Sequence, residues 1–143
     1  MFKFVLVFSL LLNISLNAKS RFVAKNGVVE DRVSSLLWQQ KTGIKKVSWV
    51  KAKLYCKNLK IGKIKSWRVP KVDELMTLVN KNSSFPSIYT KYFPDTISKH
   101  YWSSTVNKND ATKVWIVFFN YGYIHHYSIE GNKGSIRCVK SKK

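Results

Sequence analysis

The sequence predicts an α+β domain in which two helices pack on an antiparallel sheet and one disulfide ties the first helix to the last strand. Three observations predict it. Apolar residues recur at helical spacing in two stretches, around residues 49–59 and 72–79. After residue 100, short β-rich runs follow one another across tight turns, too closely spaced for the helical crossovers a parallel sheet needs. The chain holds only two cysteines, Cys56 and Cys138.

The first 18 residues read as a signal peptide. Lys3 supplies a short positive segment, residues 4–12 are almost wholly apolar, and Ala18 is a small residue suited to cleavage. The apolar run falls short of the about 20 residues that a membrane span needs, and no later stretch reaches that length. No cysteine follows the apolar run, so a lipid attachment is not indicated. Residues 19–143 then form a single exported domain, periplasmic or secreted.

The elements follow in order. Between Phe22 and Trp38 the chain alternates loosely, and Asn26-Gly27 marks a hairpin turn. One strand is expected from there through Leu36-Leu37-Trp38. Lys41-Thr42-Gly43 is a turn. Ser48 is placed to cap a helix, with Val47 as its staple; Trp49, Ala52, Tyr55, Cys56 and Leu59 form its apolar face, and Gly62 ends it. Trp67-Arg68-Val69 reads as extended. Pro70 suits the first turn of a second helix, Asp73 and Glu74 complement its dipole, and Val72, Leu75, Met76 and Val79 share one face.

Residues 81–99 are a long loop with too many apolar groups, from Phe85 to Phe93, to be a free linker. Residues 101–105 and 113–119 are strands, the second apolar on both faces and therefore central in its sheet. Residues 123–129 return, and residues 135–140 close the domain as a last strand.

Export implies an oxidising compartment, so Cys56 and Cys138 are expected to pair. A redox-active pair would favour a CxxC spacing, which is absent.

The formal charge is +19, one unit less once Lys3 is removed with the leader. That charge predicts attraction to anionic polymers. Lysine far outnumbers arginine, against the bidentate contacts of sequence-specific nucleic-acid readers, so no specific nucleic-acid partner is expected. Lys108, Lys113, Tyr121, Tyr123 and Lys133 are the expected ligand-binding residues, combining charge with aromatic faces for stacking. The seven acidic residues are scattered, which argues against a calcium site. His125 and His126 are neighbours on a strand and point to opposite faces, so they do not suggest a metal site. No catalytic constellation and no cofactor motif emerges.

Six phrases occur together in order. They are Leu36-Leu37-Trp38; Trp49-x-x-Ala52-x-x-Tyr55-Cys56-x-x-Leu59; Trp67-Arg68-Val69-Pro70-x-x-x-Glu74-Leu75; Phe93-Pro94-x-Thr96; Tyr101-Trp102-Ser103-Ser104-Thr105; and Gly134-x-Ile136-Arg137-Cys138-Val139. Over about residues 28–140 the chain resembles the Lcl C-terminal domain family of bacterial envelope domains. The resemblance implies a C-type-lectin-like fold, a disulfide from the first helix to the last strand, and an exported setting. Some members resemble adhesins for sulfated or other anionic glycans. The calcium-binding phrases of sugar-binding C-type lectins are missing. Two departures stand out: Lys71 replaces a threonine that would cap the second helix, and Ser34-Ser35 replaces a glycine-bearing turn. The function expected is non-enzymatic binding of an anionic polymer or glycan without calcium. A structural envelope subunit, or an enzyme related to the formylglycine-generating type, are the alternatives.

Overall fold

The computed structural model describes residues 19–143; the expected signal peptide lies outside the described residues. The chain forms two antiparallel sheets, not one. The first orders its strands β1-β2-β3-β7, from β1 (Phe22–Lys25), β2 (Val28–Asp31), β3 (Leu36–Gln39) and β7 (Val139–Ser141). The second orders them β4-β5-β6, from β4 (His100–Asn107), β5 (Asp110–Phe118) and β6 (Tyr123–Ser128). Two helices, α1 (Trp49–Asn58) and α2 (Val72–Met76), lie between them in sequence. No described helix is long and apolar enough to cross a membrane.

The Asn26-Gly27 hairpin forms as expected, with both residues at positive φ (51° and 79°), as a primed turn demands. The single strand expected after it is two strands. Asp31 breaks the run: its carboxylate accepts from the Val33 and Ser34 amides at 3.0 and 3.4 Å and bends the chain back. Arg21 clamps the same carboxylate at 3.0 and 2.7 Å and reaches the Thr77 carbonyl, so β1 is tied to the end of α2. Ser35 sits at φ 55°, a left-handed conformation that a glycine would adopt without strain; serine there costs about 1 kcal/mol.

The Ser48 hydroxyl accepts from Lys51 and caps α1, and Ala52 and Cys56 are fully buried. The helix stops at Asn58, not at Gly62. Gly62 instead makes the tight turn in which Ile61 and Ile64 bond each other. Helix α2 is short. Pro70 precedes its cap position instead of opening its first turn, and Lys71 occupies the cap with no acceptor to offer. Two groups make up the deficit. Thr105 Oγ1, from β4, accepts the Val72 amide at 2.9 Å, and Glu74 reaches back to the Lys71 amide at 2.7 Å. The Thr77 hydroxyl bonds the Glu74 carbonyl and closes the helix early, so Val79 pairs with Ile88 instead of joining the helical face.

The 81–99 loop is pinned, as its composition requires. Ile88 and Phe93 are fully buried, Tyr89 and Tyr92 pack on Phe22, and the Phe85 and Ser87 amides bond carbonyls at the end of β5. Strand β5 is central, as expected. The second sheet divides two cores. Tyr101 and Val117 face Trp38, Leu75, Leu78 and Phe93; Trp102 and Ile116 face Ala52, Trp67, Ile136 and the disulfide.

The closing strand differs most from expectation. Residues 134–138 run beside residues 39–47, bonding the Gln39, Gly43, Ile44 and Val47 backbone, and only Val139–Ser141 is a strand. That strand joins β3, with Trp38 opposite Val139, and not the β4–β6 meander. Arg68 bonds Val139 in both directions on its other side, at 2.9 Å each way. Cys56 and Cys138 are bonded, so the disulfide joins α1 to the residue just before β7.

Candidate functional site

The five residues expected to form a binding face do not converge. Lys108 is in the β4–β5 turn, and Lys113 is paired with Asp110 at 3.1 Å. The Thr112 hydroxyl and then Lys113 hold the Asp110 carboxyl down to about 2. Tyr121 and Tyr123 lie at the other end of the hairpin, roughly 25 Å away at the rise of an extended strand. There Tyr121 meets the Phe85 ring edge-on at 4.6 Å, and Tyr123 stacks flat on Phe118. Lys133 belongs to a third place, a cleft described below.

The acids are few and mostly engaged. Five of the seven acidic side chains, Glu30, Asp31, Glu74, Asp95 and Asp110, are consumed in ion pairs with Lys142, Arg21, Arg68, Arg137 and Lys113. Between Arg32 and Val72 the sequence contains no acid at all, yet ten lysines and two arginines. Among the described residues, none of those ten lysines has an ion-pair partner.

Helix α1 displays this charge. Its inward face is fixed by Ala52, Cys56 and the disulfide, which leaves Lys51, Lys53 and Lys57 exposed. Lys53 lies 3.9 Å over the Trp49 ring, and Trp49 is itself anchored by its indole N–H on the Ser103 carbonyl. Lys57 lines two adjoining hollows, one with Lys60, Lys65 and Trp67, the other with Lys53, Arg68 and Ser104.

At the amino end of α1 the strip continues into a cleft of about 370 Å³. Lys45 and Lys46 come from the turn before Ser48, Ile97, Lys99 and His100 from the loop into β4, and Lys133, Gly134 and Ser135 from the turn after β6. Four lysines thus surround an acid-free opening. Gly134 is needed there: an added Cβ would stand 2.9 Å from His100 and 3.0 Å from Trp102. His100 Nε2–H donates to the Lys133 carbonyl at 2.7 Å, and its ring packs on Tyr127 at 4.7 Å. Burial holds this imidazole below its ordinary value; the bond to Lys133 opposes the shift and the Lys99 charge reinforces it.

The sign follows. His100 is neutral in the fold at neutral pH and gains its charge only as pH falls below the ordinary histidine range near 6.5. The His100 ring is therefore expected to titrate at lower pH than an exposed histidine. NMR titration of the ring checks it; a midpoint at or above the ordinary histidine range would contradict it.

His125 and His126 stand opposite Ile116 and Trp115 in the register, but their rings do not diverge as expected: the centroids lie 5.2 Å apart, and His125 Nδ1 accepts from the His126 amide at 2.9 Å. Among the described residues, no group of three or more His, Cys, Asp or Glu side chains is arranged to hold a metal.

The Lcl C-terminal domain family matches residues 27–140, nearly the whole described chain. The chain belongs to this family. No curated protein matches the sequence. The matched residues run from the turn before β2 into β7 and include both helices and the disulfide, so the basic strip along α1 is built on the domain's own elements. The strip was open to sequence reading in one signal, the absence of any acid from residue 32 to residue 72.

Proposed function

We propose that this Lcl C-terminal domain is an exported, non-enzymatic module that binds an anionic polymer or glycan of a cell envelope or host surface without calcium. The observation that carries the proposal is the acid-free strip of unpaired lysines along α1 and into the cleft of Lys45, Lys46, Lys99 and Lys133. Lysines spread over an extended surface suit a repeating charge better than a single planar group. The disulfide supports an oxidising compartment. A C-type-lectin-like fold is part of the same reading, supported by the pairing of the last strand with the amino-terminal sheet and by the helix-to-terminus disulfide.

Retention on immobilised heparin tests the function. The oxidised protein is expected to bind at about 0.1 M salt and to elute well before 1 M, where the screening length falls to about 3 Å. Calcium chelation is expected to change nothing. Retention unaffected by salt, or abolished by chelation, would contradict the proposal.

A further inference from the structure

We propose that the outward face of α1 docks on an anionic lipid bilayer. Val50 and Leu54, one helical turn apart, are 60% and 58% exposed, and Ile44 beside them is 40% exposed. Such side chains on a ten-residue helix stand opposite its buried Ala52 and Cys56, so the helix has two apolar faces and fills only one of them. A shallow groove of about 470 Å³ runs beside Leu54, floored by Ile44, Tyr55 and Leu59, with Lys51 and Lys60 on its margin. Lys53 and Lys57 flank the same face on the other side.

Charge complementarity selects the occupant. An aliphatic strip bordered by lysines, with no acid lining its groove, matches the boundary between lipid phosphates and acyl chains. Other occupants fit less well. A sugar ring favours an aromatic platform, but Trp49 is half-buried and held by Ser103, with Lys53 over its face. The ammonium groups, on flexible stems, spread over laterally mobile phosphates without a fixed geometry. The helix is already formed and tied to the body through Cys56, so docking requires no folding of the segment. In this arrangement α1 lies in the plane of the leaflet, Val50 and Leu54 enter the headgroup boundary, and the four lysines contact phosphates.

The proposal differs from polymer binding in needing the aliphatic pair as well as the lysines. The purified oxidised protein is sedimented with vesicles of equimolar phosphatidylglycerol and phosphatidylcholine, and with phosphatidylcholine alone. Binding is expected only to the anionic vesicles. A Val50→Ser/Leu54→Ser variant, altered at exposed positions alone, is expected to bind them about ten-fold more weakly while its heparin retention stays unchanged. Circular dichroism and the thermal midpoint confirm its fold. No binding to anionic vesicles, equal binding to neutral ones, or full binding by the serine variant would each overturn the lipid contact. Loss of heparin retention by the unaltered protein would instead remove the polymer reading and leave this one standing.

Discussion

Replacing both cysteines, Cys56→Ala with Cys138→Ala, is expected to lower the unfolding free energy by about 4 kcal/mol, the loop-entropy value for so long a closure. The bond closes a loop of 82 residues, and both sulfurs are fully buried beside Ala52, Trp67, Ile116 and Ile136. Most of the effect comes from the unfolded chain, which the crosslink keeps compact. The removed sulfur atoms add a packing loss in the same direction. The native contacts that the bond supports are also unusually far apart in sequence: α1 reaches the terminal strand through no regular hydrogen-bonded ladder. Urea unfolding of the two proteins under identical conditions checks the figure. A difference below about 1 kcal/mol would show that burial alone holds α1 in place.

Arg137→Leu is expected to cost about 3–5 kcal/mol, comparable to breaking a buried ion pair. The guanidinium has no exposed surface. One of its nitrogens donates to the Gln39 carbonyl at 2.8 Å and to that of Gln40. The other donates to Thr42 and Thr96 hydroxyls at 3.1 and 2.8 Å and meets Asp95 at 3.4 Å. Its Cζ lies 4.8 Å from the centre of the Phe93 ring. Burial pushes its pKa down, while Tyr101 and Asp95 pull it up. This one side chain therefore fastens the end of β3 to the 93–96 loop and to the closing segment. Leucine would remove this donor from the Gln39 and Gln40 carbonyls and from both threonine hydroxyls. Arg137→Lys should recover little, because one ammonium cannot serve acceptors on both sides of a planar fork. Thermal unfolding of the three proteins checks the order; a lysine variant as stable as the arginine protein would contradict it.

Local signals carried much of this fold. Asn26-Gly27, the Ser48 cap, the spacing of Ala52 and Cys56, and the apolar run of β5 each report on their own neighbourhood, and each element stands where its residues place it. Pairing was less legible, because β7 chooses β3 across about a hundred residues and nothing in Val139–Ser141 names its partner. The division of 28–39 into two strands rests on Asp31 accepting from the Val33 and Ser34 amides, and Arg21, ten residues earlier, holds that carboxylate in place. The lost cap at Lys71 is legible as a loss; its repair by Thr105, 33 positions beyond the Val72 amide it accepts, is not. The candidate site shows the same limit. Counting charge revealed the excess of lysine, but only the fold shows that Lys113 and four other cations are neutralised by acids while the strip from Lys45 to Lys65 is left unpaired.

Two triple variants with the same net charge decide whether that strip, and not total charge, carries polymer binding. One changes Lys57, Lys60 and Lys65 to glutamine, the three lysines around a single hollow. The other changes Lys81, Lys91 and Lys108, all exposed and outside the strip. The salt concentration at which each elutes from heparin is the measurement. The strip variant is expected to elute far earlier than the wild-type protein and the control variant close to it; equal shifts for the two would contradict the account.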